Sequence, residues 1–159
     1  MNIEIVAVGK ISDAYIKEGI DIYKNYMAPR ITLTQKEVKE DKIPKSASAK
    51  DIENVKQAES KRLLEATNDK AFIIALTPEG SMKKSERFAS MIEDIKSRGF
   101  SQIVFWIGGS HGISETIKKK AHMQFSLSKL TFPHQLTRLI LAEQVFKALK
   151  ISNNESYHK

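Results

Sequence analysis

The sequence of 159 residues contains no cysteine. That absence excludes disulfide scaffolds, cysteine zinc sites and thiol nucleophiles, and it is typical of proteins from a reducing cytosol. Long apolar runs are missing too, because none approaches the length that spans a bilayer, and residues 1–10 lack the features of a signal peptide. We therefore expect a soluble, cytoplasmic protein with a single domain over residues 1–159, since this length supports one good core and not two.

Two kinds of ligand signature are also missing. Neither the G-x-G-x-x-G spacing of dinucleotide sites nor the G-x-x-x-x-G-K-[ST] phosphate loop occurs, which argues against an unrelated nucleotide-binding enzyme. The histidines share no helical spacing suited to a metal ion, so we expect no metal site; they are His111, His122, His134 and His158.

Positive charge is what the chain has in excess. Lys and Arg number 26 against 19 acidic residues, which gives a formal charge of +7 and a pI of about 9.5. Such a balance favours polyanionic partners, RNA or DNA among them, through counterion release. Charge alone leaves that question open, because many small basic proteins bind no nucleic acid.

Apolar periodicity predicts alternating strands and helices. In the first half it predicts a strand over 3–8, a helix from Ser12 or Asp13 to Pro29, a weaker strand over 31–38, a mobile surface loop over 39–50 and a helix over 51–66. In the second half it predicts strands over 71–76, 102–107 and 123–127, and helices after Ser85, after Ser114 and over 135–151. This order indicates an α/β fold with a mainly parallel sheet and flanking helices.

The last predicted helix is apolar around more than one face. A surface helix needs only one apolar stripe, so a second covered side predicts a partner, most simply another copy of the chain. We therefore expect a homodimer.

Three strand exits are candidates for a ligand site, because ligands bind beyond the carboxyl ends of parallel strands. They are Leu76–Gly80, Gly108–Gly112 and Leu127–Phe132. Glycines at the middle exit would let a ligand approach the backbone, although paired glycines also form plain tight turns. At the third exit the hydroxyls of Ser126 and Ser128 can equally well satisfy turn backbone.

The end of the chain combines an aromatic ring, an imidazole and an ammonium group in Tyr157-His158-Lys159. Most terminal segments are inert, but these groups could stack on a base, relay a proton and hold a phosphate. Arg138 lies four residues after His134 and can share its helix face, while Glu143 lies among apolar residues where a buried ion pair is a common explanation.

Three segments and their order carry a family resemblance. They are Phe105-Trp106-Ile107-Gly108-Gly109-Ser110-His111-Gly112, Ser126 to Leu136 with its Leu-Thr-Phe-Pro-His core, and the closing Tyr157-His158-Lys159. With the opening Val6-Ala7-Val8-Gly9-Lys10, they resemble the small bacterial ribosomal RNA methyltransferases of the SPOUT superfamily, which methylate N3 of a pseudouridine in large-subunit ribosomal RNA. The resemblance spans essentially the whole chain.

The resemblance implies a C-terminal trefoil knot, S-adenosylmethionine as cofactor, an obligate homodimer and ribosomal RNA as substrate. Carried over by position, the cofactor-binding residues would be Leu76, Gly108, Leu127, Ser128, Lys129, Leu130, Thr131 and Phe132. As a hypothesis, His158 accepts or relays the N3 proton, while Tyr157 and Arg138 orient the base and its backbone. The chain departs from the family at Thr77, often Asp, and at Ser156, often Pro.

An alternative from another class is a non-catalytic, ribosome-associated RNA-binding protein that has kept the fold and its charge. It would not bind S-adenosylmethionine, which separates the two hypotheses.

Overall fold

The structure, a computed structural model, describes residues 1–157. Its strands are β1 (Asn2–Val8), β2 (Thr32–Val38), β3 (Phe72–Ser81), β4 (Gln102–Ile107) and β5 (Met123–Phe125). Its helices are α1 (Ala14–Met27), α2 (Ala49–Glu65), α3 (Ser85–Ser97), α4 (Glu115–Lys118) and α5 (His134–Ser152).

The strands form one sheet in the order β2-β1-β4-β3-β5, and every pairing is parallel. This confirms the predicted α/β fold with a parallel sheet and flanking helices. The trefoil knot stays a prediction from the resemblance.

Alternate residues of the central strands supply two separate cores, because neighbouring side chains of a strand point to opposite faces. Ile3 and Phe105 pack with α1, α3 and α5 on one face. Val6 and Trp106 pack with α2 and α4 on the other. The Trp106 indole also donates to Thr67 Oγ1 at 2.8 Å, which satisfies its buried polar group.

Element boundaries differ from the sequence predictions at functionally relevant places. β3 continues past Leu76 to Ser81 through an irregularity, and both residues pair with Phe125 of β5. Gly80 permits this, because a Cβ there would lie 2.5–2.8 Å from Phe125 backbone atoms. β5 ends at Phe125, so Leu127 belongs to the following loop and not to the strand.

The segment predicted as a mobile loop over 39–50 is anchored at its start and helical at its end. The Asp41 amide donates to Glu59 at 2.9 Å, and Arg62 binds the Lys39 carbonyl and the Asp41 carboxylate, both at 3.0 Å. α2 begins at Ala49 because Ser48 forms a capping box. The sequence did not predict these polar contacts, because the stretch has only weak apolar periodicity.

No helix within residues 1–157 is long and apolar enough to cross a membrane. Over the same residues, no group of three or more His, Asp or Glu side chains is arranged to hold a metal ion.

Candidate active site

A cleft of about 800 Å³ lies at the carboxyl ends of β3, β4 and β5. The three strand exits identified in the sequence meet there, as parallel-sheet geometry requires. All eight residues expected to bind cofactor line it: Leu76, Gly108, Leu127, Ser128, Lys129, Leu130, Thr131 and Phe132. The cleft is therefore built from three segments that are distant in sequence.

Gly108 forms part of the cleft wall where the chain doubles back on itself. A Cβ at this position would lie 2.7 Å from the Gly112 carbonyl carbon, too close for any side chain. The turn is closed by the Gly112 amide, which donates to the Gly109 carbonyl at 3.0 Å, and Gly112 has a positive φ of 82°. The tight-turn explanation is therefore correct, and the same turn leaves backbone facing the cleft.

The loop after β5 holds its shape through its own hydroxyl groups. Ser126 Oγ donates to the Ser128 carbonyl, and Ser128 Oγ accepts from the Leu130 amide, both at 2.9 Å. These serines thus satisfy turn backbone, which leaves ligand recognition to other backbone groups and to apolar side chains. Leu130 is 75% exposed and lines the cleft, so its side chain is accessible to a ligand.

An ion-pair cluster closes one side of the cleft. The Lys118 side chain is only 9% exposed, and its ammonium binds Glu79 of β3 and, at 2.9 Å, Glu115 of α4. Burial lowers the pKa of Lys118, but the hydrogen bonds to the two carboxylates outweigh it and the net pKa is raised. The Lys118 hydrogen bond lowers the pKa of Glu79. At neutral pH Lys118 and Glu79 are thus both charged, and the cluster ties α4 to the β3 exit.

Helix α2 supports the glycine turn from beneath. Glu59 is 3% exposed, and a Cβ on Gly109 would lie 3.0 Å from its Oε1. Burial raises the pKa of Glu59, and this effect outweighs the hydrogen bond from the Asp41 amide, which lowers it. Beside it, Ser60 Oγ accepts from the Ser114 amide at 2.8 Å, which fixes the approach to α4.

Arg138 is fully buried and does not itself line the cleft. Its guanidinium binds Glu37 at 2.6 Å and the Gly9 carbonyl at 2.7 Å, with a longer contact of 3.3 Å to the Val8 carbonyl. Arg138 therefore fastens α5 to the ends of β1 and β2. Its neighbour Thr137, and His134 one turn earlier, do line the cleft.

The described part of the C-terminal tail is held by α3 through Tyr157 and by Arg30 and Lys150 through Glu155. Tyr157 Oη donates to Glu86 Oε1 at 2.8 Å, and this hydrogen bond raises the pKa of the phenol, which stays protonated at neutral pH. Glu155 binds Arg30 and Lys150, each at 2.7 Å, and the two cations lower its pKa to about 2. His158 lies outside the described residues.

Sequence reasoning missed Lys118 and Glu59 as parts of this site, and it included Glu79 only as a member of the exit Leu76–Gly80 with no role of its own. In the sequence Lys118 is one of three consecutive lysines, 118–120, and the other two are exposed in the structure. The available signal was Ile117, because the one apolar residue of the short helix after Ser114 marks its buried side, and Lys118 lies next to it. Glu59 carried a weaker signal as the single acid within the apolar stripe of α2.

The family model described as "Predicted SPOUT methyltransferase" matches residues 1–158. Among curated relatives, the "Ribosomal RNA large subunit methyltransferase H" of Shouchella clausii is 43% identical over 159 residues, covering all of both chains. The protein of the same name from Natranaerobius thermophilus is 44% identical, and the match covers 99% of each chain. The one from Listeria monocytogenes is 41% identical, and the match covers all of both chains.

Among solved structures, a probable methylase family protein from Haemophilus influenzae matches with a TM-score of 0.57 at 12% identity. The alignment covers 99% of this chain and 70% of that one, and at this identity it supports the fold alone. The full-length sequence matches carry the assignment further: this chain belongs to the SPOUT methyltransferase family.

Proposed function

We propose that this chain methylates large-subunit ribosomal RNA with S-adenosylmethionine, and that the acceptor atom is N3 of a pseudouridine. Membership of a SPOUT methyltransferase family implies a methyl donor of the S-adenosylmethionine type. The substrate class rests on relatives that are 40–44% identical over nearly the whole chain and are named as large-subunit ribosomal RNA methyltransferases. The target atom rests on the resemblance of the sequence motifs.

The single observation that carries the cofactor proposal is the composition of the cleft. Its volume of about 800 Å³ lies within the usual range of small-molecule sites. Leu76, Leu127 and Phe132 supply apolar walls for an adenine ring, and the turn at Gly108 exposes backbone that a ribose or amino-acid group can approach. The residues present therefore fit the cofactor.

The bound cofactor supplies a methyl group already activated on a sulfonium centre. The protein must align the acceptor and remove its proton, because a neutral imide nitrogen is a poor nucleophile. We assign the proton transfer to His158. Tyr157 is protonated at neutral pH and is therefore not the proton acceptor; it orients the base as a hydrogen-bond donor after its single O–H leaves Glu86 Oε1.

For Arg138 we propose a positioning role, because its guanidinium is engaged by Glu37 and Gly9. It orients the base indirectly, by holding the start of α5 and the cleft residues His134 and Thr137 in place. Arg138→Lys should keep the charge but lose the forked contacts, and should lower the affinity for S-adenosylmethionine more than turnover at saturating cofactor.

We also propose that the active form is a cytoplasmic homodimer. α5 packs against α1 and α3, yet several of its apolar residues, among them Leu136 and Leu139, stay partly exposed. Next to them Tyr23, Tyr26 and Phe146 form a ring cluster with centroids 5.5–6.2 Å apart, and Tyr26 is 59% exposed. An apolar surface of this kind is what a second copy would cover.

The test is to incubate the protein and labelled S-adenosylmethionine with free RNA, large subunits or whole ribosomes. The modified nucleotide is then located by mass spectrometry. We expect a monomethylated pseudouridine in the large-subunit RNA. Calorimetry that shows no binding of S-adenosylmethionine would instead support the non-catalytic ribosome-associated protein.

The tail assignment has its own test, which compares His158→Ala, Tyr157→Phe and removal of residues 157–159. We expect the truncation and His158→Ala to lower turnover by about 100-fold, in the range of general-base loss, and Tyr157→Phe to lower it less. Unchanged turnover in the truncated protein would show that the tail has no catalytic role.

A further inference from the structure

We propose that a second groove, along the outer side of α3, binds the backbone of the RNA substrate. This α3 groove has a volume of about 760 Å³ and runs between the outer side of α3 and the edge strand β5. Its polar lining is Lys83, Lys84, Arg87, Ser90, Asp94 and Arg98, and its apolar lining includes Phe72, Met82, Met91 and Met123. The inference rests on the proposed function, because it names where the RNA substrate of that activity is held.

Charge is the first argument. Four cations line the α3 groove and face a single carboxylate, Asp94. Within residues 1–157, Lys83, Lys84, Arg87 and Arg98 take part in no ion pair. Closely spaced cations without counter-charges repel one another and gain most from a polyanion that passes between them.

Arg98 supplies the second argument, because it is held in place without being neutralised. Its guanidinium lies 5.3 Å from the centroid of the Phe72 ring and 5.7 Å from that of Phe100. Stacking on rings restricts the side chain while leaving the in-plane N–H donors available. A guanidinium presented in this way is suited to the forked contact that phosphate oxygens accept.

The apolar floor of the groove favours an RNA strand over a simple anion. Met91 and Phe72 are buried apolar residues, and Met82 at the rim is 51% exposed. A strip of cations beside an apolar floor matches a single strand, whose phosphates meet the cations while its bases or riboses lie on the floor. A short loop of ribosomal RNA has this chemistry.

Position links the groove to the active-site cleft. Glu79 lines the cleft and Lys83 lines the groove, so the segment between them divides the two. On the neighbouring strand β5, Met123 lines the groove and Phe125 the cleft. The tail joins at the same place, since Tyr157 binds Glu86 and the adjacent residue, Arg87, lines the groove. RNA held in the groove would therefore pass beside the tail and the cleft.

The experiment compares Arg87→Glu/Arg98→Glu with Lys50→Glu/Lys61→Glu, whose lysines are exposed on α2 across the sheet. Both pairs of substitutions change the net charge equally. Fluorescence anisotropy with a labelled single-stranded RNA, over a salt series, gives Kd and its salt dependence. We expect at least about a 10-fold loss of affinity for the groove variant, with a salt slope shallower by about 1.4 for the two lost cations, and a change within about 2-fold for the control.

Equal losses in the two variants would overturn the proposal, because net charge and not the groove would then decide binding. A second variant, Arg87→Gln/Arg98→Gln, removes the cations without adding acids and is used if the double Glu variant does not fold. Unchanged RNA affinity in the folded Gln variant also overturns the proposal. Calorimetry with S-adenosylmethionine should give the wild-type Kd for the groove variants.

Methylation of large subunits separates this inference from the proposed function. If the wild-type protein methylates and the groove variants show a raised KM for subunits with kcat retained, both ideas hold. If the wild-type protein binds RNA through the groove but transfers no methyl group, the proposed reaction fails and the groove assignment stands. Methylation with an unchanged KM in the groove variants contradicts the groove alone.

Discussion

The candidate active-site cleft and the α3 groove both border strands β3 and β5, yet the positive charges in their walls differ in pairing. In the cleft wall the buried ammonium of Lys118 is neutralised by Glu79 and Glu115. In the groove, Arg87 and Arg98 are exposed and, within residues 1–157, have no carboxylate partner. A paired charge fixes the shape of a wall, whereas an unpaired charge is available to a ligand.

This difference separates two tasks that one protein surface has to perform. A preorganised cleft suits a small cofactor that must be held in one orientation, because little ordering remains to be done on binding. An open groove of unpaired cations suits a long polyanion recognised through many similar phosphates. The four substitutions that follow alter the cleft or the tail, and they should leave RNA affinity at the groove intact.

The largest effect is expected from Gly108→Ala. The new methyl group would lie 2.7 Å from the Gly112 carbonyl carbon, so the turn must open and distort the cleft. We expect affinity for S-adenosylmethionine to fall by about 100-fold, or about 2.7 kcal/mol, in calorimetry. Gly99→Ala is the control, because its φ of 92° makes the substitution strained although no atom lies within 4 Å. A similar loss of cofactor affinity in that control would mean that general destabilisation, not the cleft, is responsible.

A smaller effect is expected from Lys118→Met, which removes the cation from the wall. Glu79 and Glu115 are 52% and 74% exposed and can be solvated, so the protein should fold. We expect about a 10-fold weaker affinity for S-adenosylmethionine, or about 1.4 kcal/mol, while the exposed neighbour Lys119→Met binds normally. Equal affinities in the two variants would show that the ion pair does not shape the cleft.

The pH dependence of the same variant has a definite sign. The pKa of Glu79 is lowered in the folded protein, so its contribution to stability is complete above the ordinary carboxylate pKa. That contribution is lost as the pH falls through the lowered value. The difference in Tm between wild type and Lys118→Met should therefore be constant near neutrality and shrink in acid; a difference that grows in acid contradicts the ion pair.

Glu59→Gln should change stability in the opposite sense. Burial raises the pKa of Glu59, so the folded state disfavours its ionised form. The contribution of protonated Glu59 to the stability of the fold is therefore present at low pH and is lost as the pH rises through the raised pKa. A neutral amide can still accept from the Asp41 amide. We expect a higher Tm than wild type at pH 7 and no difference in acid, measured by thermal unfolding. A lower Tm at pH 7 would indicate that the negative charge itself supports the turn.

The smallest effect is expected from Glu155→Gln, which removes the charge that holds the tail to Arg30 and Lys150. The pKa of Glu155 is about 2, so the pairs persist through the ordinary pH range. We expect faster hydrogen exchange in residues 153–157 with no measurable change in Tm, because exposed pairs contribute little to stability. Glu53→Gln on α2 provides the matched exposed control, and equal exchange in the two proteins would count against the tether.

The sequence was sufficient for the position of the cleft. Buried strands are recognisable as apolar runs ending at glycine or proline, and the carboxyl ends of parallel strands necessarily share an edge. The sequence alone therefore groups Leu76 with Gly108 at one edge of the sheet. The family resemblance supplied the role of each segment, which periodicity cannot reveal.

Features that depend on distant partners were not predictable in this way. Arg138 was placed correctly on α5, but its partner Glu37 lies 101 residues earlier and nothing local identifies it. The α3 groove requires β5 to pair beside β3, so that Met123 faces residues of α3. No local pattern in the sequence indicates which strand forms the edge of the sheet.

The strand order also has a consequence for how the protein is made. β1 emerges first from the ribosome, but one of its two neighbours is β4, where Asn2 pairs with Gln102. Until about two thirds of the chain has been synthesised, the inner edge of β1 has no native partner, and such long-range pairing is slow to form. The cleft also needs the β5 exit, Leu127–Phe132. A nascent chain that ends before this segment therefore cannot assemble the proposed cofactor site.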